Sequence, residues 1–146
     1  MSDLVKNKKA GLNFELLERY EAGVELLGTE VKSIRGGQGK LDGAHVVVRG
    51  GEVYLVGASI PPYQKANAPK DYEPERVRKL LLKNKEIIEL FTESEKKGLT
   101  VVPLRWYNKG RVLKLEIAIG RGKKKHDKRE SIKERESKRD TERLLK

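Results

Sequence analysis

The sequence predicts a mainly β fold, a small OB-like antiparallel β-barrel with two or three helices over residues 1–120, followed by a basic C-terminal tail over 121–146. Three observations carry that expectation. Two pairs of apolar, β-branched runs are joined across short glycine-containing links, at Gly50-Gly51 and at Asn108-Lys109-Gly110, which is the pattern of hairpins. A further run from Phe14 to Leu26 alternates with period two, as a half-buried strand does. The last 26 residues hold twelve Lys/Arg against six Asp/Glu, and Ile132, Leu144 and Leu145 are their only large apolar side chains. Such a segment cannot bury enough area to offset its own chain entropy, so it is expected to be disordered when free.

In chain order, Phe14, Leu16, Tyr20, Ala22, Val24 and Leu26 are apolar at even positions, interrupted by Glu18. A helix through Leu12, Leu16, Leu17, Tyr20, Val24 and Leu27 competes, but Gly23 and the cleaner alternation favour a strand. Gly28 to Arg35 reads as a short helix, with Thr29 as N-cap, Val31 and Ile34 three apart, and Gly36-Gly37 as a stop. Val46–Arg49 and Glu52–Val56 form the first hairpin. The Pro-rich stretch IPPYQKANAPKDYEP is a loop. From Pro74 to Lys97 a stripe of Val77, Leu80, Leu81, Ile87, Ile88 and Phe91 predicts a helix begun by Pro74 and capped by Gly98, which places Leu81 in the core. Leu99–Tyr107 and Arg111–Ile119 form the second hairpin, with Leu113, Leu115, Ile117 and Ile119 pointing inward. Trp106 and Tyr107 fall on opposite faces of one strand, so one is expected inside and the other exposed. The total is five or six strands and two helices.

The chain carries 33 Lys/Arg and 22 Asp/Glu, a formal +11, of which the tail supplies more than half. Its 146 residues suit one domain with a modest core. There is no cysteine, which removes disulfides, thiolate nucleophiles and sulfur-ligated zinc. MSDLVKNKKAG lacks the apolar stretch of a signal peptide and no run approaches a membrane span, so a soluble, cytoplasmic protein is expected. Lys123, Lys124, Lys125, Lys128 and Arg129 form a run that a polyphosphate backbone attracts, because each phosphate neutralised releases condensed counterions. Small OB-like barrels are frequent hosts for RNA.

Three segments carry a more specific signal: YEAGVELLGTEVKSIR at 20–35, ERVRKLLLKNKEI at 75–87, and GRGKKKHDKRESIKER at 120–135. In this order, and over nearly the whole chain, they resemble the SsrA-binding protein (small protein B) family, the bacterial partner of transfer-messenger RNA. The resemblance implies an OB-like barrel that clamps the tRNA-like end of transfer-messenger RNA and carries it to stalled ribosomes for trans-translation. It also implies a tail that enters the decoding centre and the empty mRNA channel and turns helical there. Transfer-messenger RNA and the ribosome are thus the expected partners of a monomer without cofactor, metal or membrane.

Carried over position by position, the resemblance puts Glu21, Glu30, Lys32, Leu81, Lys83, Gly122, Lys123 and Lys124 on the RNA-binding face. A carboxylate facing RNA can accept hydrogen bonds from base edges or 2'-hydroxyls, although phosphate repels it. Lys83 stands where the family commonly has His or Asn, which keeps a donor and loses a planar ring. Glu73-Pro74 stands where Asp-Pro is usual. His126, Asp127, Lys128 and Arg129 match the tail motif that contacts the ribosome, where His126 could stack on a base.

Two rivals remain. Catalysis would need a partner for His45 or His126, and no paired carboxylates, metal-ligand cluster or GxxxxGK[ST] loop is present, so no catalytic residue is expected. A ribosomal protein or general RNA chaperone with a basic extension fits the composition equally well.

Overall fold

The computed structural model describes residues 3–64 and 70–123. Lys124, His126, Asp127, Lys128 and Arg129 lie outside the described residues. Among the described residues no helix is long and apolar enough to cross a membrane.

Strand β1 (Asp3–Lys6) leads through a single turn, α1 (Ala10–Asn13), into β2 (Phe14–Val24), the strand that the alternation predicts. The alternation serves two faces, however. A bulge between Leu16 and Arg19 inserts one residue against the facing strand β7 (Val112–Gly122) and reverses the side-chain parity. Before it, Phe14 and Leu16 pack with Ala10, Val102, Leu104 and Ala118; after it, Tyr20 and Ala22 enter the main core. The polar break at Glu18 falls within this bulge. Gly120 leaves room for Phe14, since a Cβ there would come 3.1 Å from Phe14 Cβ.

Helix α2 (Gly28–Arg35) stands as predicted, but Thr29 is not its cap. The helix begins after Leu27, whose backbone N–H donates to Glu30 Oε1 at 2.8 Å. The first hairpin is β3 (His45–Arg49) with β4 (Glu52–Val56), paired from His45↔Val56 to Arg49↔Glu52. Gly50 and Gly51 have φ of 59° and 76°, as a type I′ link requires.

The helix expected over Pro74–Lys97 is two elements: strand β5 (Arg78–Leu81) and helix α3 (Asn84–Ser94). Backbone pairing with β4 (Leu55↔Arg78, Val53↔Leu80) and β2 (Gly23↔Leu81) holds the first part extended. The apolar spacing satisfied a helical stripe and a strand at once, and burial follows the strand: Leu80 is buried, whereas Val77 and Leu81 are exposed. Gly98, at φ 83°, belongs to the turn before β6 and caps no 24-residue helix.

Strand β6 (Leu99–Lys109) pairs with β7 down to Lys109↔Val112, so the link is Gly110-Arg111 and Asn108 and Lys109 remain in the strand. Pro103, which has no N–H for the ladder, coincides with a register shift between Pro103 and Arg105. Asn7 repairs this point: its Nδ2 donates to Pro103 O at 2.9 Å and its backbone N–H to Leu104 O at 2.8 Å.

Among the described residues seven antiparallel strands therefore replace the expected five or six, with three helices. The order β6-β3-β4-β5-β2-β7 returns to β6, which closes a barrel, and β1 lies along the far half of β6. The interior holds Val53, Leu55, Leu80, Leu115 and Ile117, with Ile34 of α2 and Leu90 of α3 buried among them. Trp106 and Tyr107 do point to opposite faces, but both are buried. Trp106 enters the core, while Tyr107 is covered on the outer face by the Arg105 guanidinium, 4.2 Å from the ring centroid.

Candidate nucleic-acid interface

The outer face where β2, β5 and β7 meet, beside the start of α3, carries an open groove of about 470 Å³ lined by Glu21, Leu81, Leu82, Lys83, Glu86 and Lys114. Strand parity explains its composition. Ala22 and Leu80 point into the core, so their neighbours Glu21 and Leu81 point out. Gly23 makes the approach of β2 to β5 possible, since a Cβ there would already lie 3.3 Å from Leu81 Cβ. The strand β5 ends at Leu81, and Lys83 serves as the boundary residue of α3, its backbone N–H donating to Glu86 Oε1 at 3.1 Å.

Glu21 is held from one side. The Tyr107 hydroxyl donates to its Oε2 and the Lys109 ammonium sits 3.0 Å from its Oε1. These two hydrogen bonds, Tyr107 first, lower the Glu21 pKa below the ordinary carboxylate value. Burial, aided by the bond to Glu21, pushes the Tyr107 phenol up. Glu21 is thus an oriented carboxylate with lone pairs left for a donor, since two bonds do not exhaust its two oxygens. Beside it, Leu81 is 48% exposed, an apolar face at the groove wall where the helical stripe placed a core residue. Lys83 and Lys114 add two cations to the same rim. The groove can therefore offer one acceptor, one apolar face and phosphate-attracting charge within one site.

Sequence reasoning missed Tyr107, Lys109 and Lys114. Their signal was register: Tyr107 pairs with Lys114 and Glu21 with Glu116 across β7. The basic rim also extends to α2, because Arg35 Nη2 donates to Arg111 O at 2.7 Å at the β6–β7 turn.

Glu21, Leu81 and Lys83 are brought together; the others are not. Lys32 lies on α2 with its ammonium 5.8 Å from the Tyr63 ring centroid. Glu30, expected on the RNA face, is 1% exposed in this structure. Its carboxylate accepts from Arg76, from Arg78 Nε and Nη2 at 2.9 and 2.6 Å, and from the Tyr72 hydroxyl at 3.1 Å. Gly122 ends β7 opposite Phe14, and the backbone N–H of Lys123 donates to Asn13 O at 2.9 Å, so both stand at the root of the tail.

A closed antiparallel barrel with an acceptor-and-lysine groove on its outer face places the chain among small barrels of the OB-like class. The chain matches the family model described as "SmpB protein" over residues 4–146. It is 48% identical to the SsrA-binding protein of Microcystis aeruginosa over 98% of this chain and 93% of that one. It is 50% identical to the SsrA-binding protein of Gloeobacter violaceus over 97% and 93%. A solved chain described as "tmRNA-SmpB: a journey to the center of the bacterial ribosome" superposes with a TM-score of 0.70 at 40% identity, covering 87% of this chain and 92% of that one. The chain belongs to the SmpB protein family.

Proposed function

We propose that this protein binds the tRNA-like domain of transfer-messenger RNA through the groove of Glu21, Leu81 and Lys83 and delivers it to stalled ribosomes for trans-translation. The observation that carries the reading is the convergence of Glu21 with the distant pair Leu81 and Lys83 on one exposed groove of a chain that shares its family with the SsrA-binding proteins. Glu21 accepts hydrogen bonds from a base edge or 2'-hydroxyl, Leu81 packs against a base or ribose, and Lys83 and Lys114 meet phosphates. The tail, with His126, Asp127, Lys128 and Arg129, then occupies the decoding centre and the empty mRNA channel. Binding and positioning, with no bond made or broken, are the whole of this role.

The test is a gel-shift titration of the tRNA-like domain in excess bulk tRNA. A specific complex should form, and if about five phosphates are neutralised, log affinity should fall against log salt with a slope near −3.5 to −4.5. Equal affinity for tRNA and for the tRNA-like domain would overturn the assignment.

A further inference from the structure

A second groove lies away from the Glu21 site, between α3 and the tip of the first hairpin. It is lined by Val48, Gly50, Gly51, Ile87, Ile88 and Phe91. Ile88 is 65% and Phe91 50% exposed, on consecutive turns of one helix. Two large apolar side chains facing a glycine turn form a slot for another apolar side chain. The carboxylates of α3 serve other neighbours: Glu86 lines the Glu21 groove and Glu89 accepts from the Tyr20 hydroxyl. None of the slot's lining residues is charged, so it suits an apolar side chain, such as a leucine, and offers nothing to a phosphate backbone.

The chain holds a segment that supplies one. Residues 124–146 carry ten Lys/Arg against six Asp/Glu, and their largest apolar unit is the adjacent pair Leu144-Leu145, flanked by Arg143 and Lys146. The segment also starts in the right place. Gly122 N–H donates to Gly98 O, and Arg121 pairs with Leu99 at the beginning of β6. On the other side of β6, Val46 pairs antiparallel with Val101, so Val48 lies toward Leu99. The root of the tail is thus about two strand spacings, ~10 Å, from the Val48 wall. A coil running from Lys123 to Leu144 has a root-mean-square span of roughly 25 Å, comparable with the root-to-groove distance plus the length of α3. A tether of that length holds Leu144-Leu145 at an effective concentration on the order of millimolar, so even a weak contact is appreciably populated.

We infer that in the protein free of RNA and ribosome the Leu144-Leu145 pair docks in the groove between α3 and the β3–β4 turn. This clip stores the tail against the apolar face of α3 and must be released before the tail can act elsewhere. It involves neither Glu21, Leu81 nor Lys83, so it stands or falls independently of the RNA-binding reading.

Because the chain has no cysteine, Lys146→Cys provides a unique attachment point for a nitroxide label. In the labelled full chain the amide signals of Val48, Gly50, Gly51, Ile88 and Phe91 should lose more than half their intensity, while that of Val112, equally exposed on the β6–β7 hairpin, is retained. Adding L144D and L145D should restore the five signals, as should I88D, an exposed position where the change leaves the core intact. Uniform loss over the surface, or no loss, overturns the inference. So does loss that appears only when label and isotope reside on different molecules, which would mark the groove as a contact between copies.

Discussion

Arg78 Nη2 lies 2.6 Å from Glu30 Oε2, and both side chains are fully buried. Arg78 also donates to Ala58 O at 2.9 Å and to Pro74 O at 2.9 Å, so this one ion pair ties α2 to both ends of the segment leading into β5. Substituting Glu30 by Gln leaves the Arg78 charge buried and uncompensated, which should cost about 3 to 5 kcal/mol in a denaturant titration. The double variant Glu30→Leu with Arg78→Met removes both charges and should recover most of that loss, because desolvation offsets much of what a buried pair contributes. A Glu30→Gln protein as stable as the parent would contradict this account.

The same carboxylate sets a pH dependence. Burial by itself would raise the Glu30 pKa, but the bonds from Arg76, the Leu27 N–H and Arg78 outweigh it and hold the value at about 2 against an ordinary 4.5. A group whose pKa is depressed on folding contributes stability that is complete above the unfolded value and lost as pH falls toward the folded one. Glu30 should therefore contribute about 3 kcal/mol at neutral pH that disappears between roughly pH 4.5 and 2. Urea midpoints across that window should fall steeply for the parent and less steeply for Glu30→Gln.

Strand β5 shows where the sequence was legible and where it was not. The two hairpins, β2 and α2 follow from local rules, namely alternation and glycine turns, and those rules act within a few residues. In 77–91 the apolar residues satisfy two periods, and the choice is made by pairing with β4 and β2 and by Glu30, which lies 48 residues from Arg78. No spacing within the segment reveals such a partner. The same reason hid Tyr107 and Lys109 from the candidate site.

Leu80 and Leu81 turn that difference into an experiment. Leu80 is 2% exposed in the core, so Leu80→Ala should cost about 2 to 5 kcal/mol of stability. Leu81→Ala should change stability by less than about 0.5 kcal/mol, as exposed substitutions do, yet weaken binding of the tRNA-like domain. Equal destabilisation by both would mean that the segment packs as a helix.

Glu21→Lys separates recognition from attraction. If Glu21 were only a solvated charge, the added cation should tighten binding to RNA. As an acceptor oriented by Tyr107 and Lys109, its replacement should weaken binding of the tRNA-like domain by ~1 to 3 kcal/mol despite the gain in positive charge. Unchanged or tighter specific binding, at an intact melting temperature, removes Glu21 from the site.

The tail should act after RNA binding, because its root at Lys123 stands beside Asn13 and Gly98, whereas the groove is built from Glu21, Leu81 and Lys83. Its opposite charges fall at helical spacing, as in Glu134 with Lys138, but each such pair supports a helix by only ~0.2 to 0.5 kcal/mol. That is too little to offset helix nucleation in a short segment, so a helix there needs the surrounding phosphates of an mRNA channel to neutralise its basic face. Replacing His126, Asp127, Lys128 and Arg129 together by Ala should leave binding of transfer-messenger RNA within about twofold, a change of ~0.4 kcal/mol, because the groove is lined by residues of the barrel and α3. The same variant should abolish tagging of nascent chains in an in vitro translation reaction programmed with an mRNA that lacks a stop codon. Normal tagging would reduce the motif to a solvated run of charge, while lost RNA binding would move the tail into the primary interface.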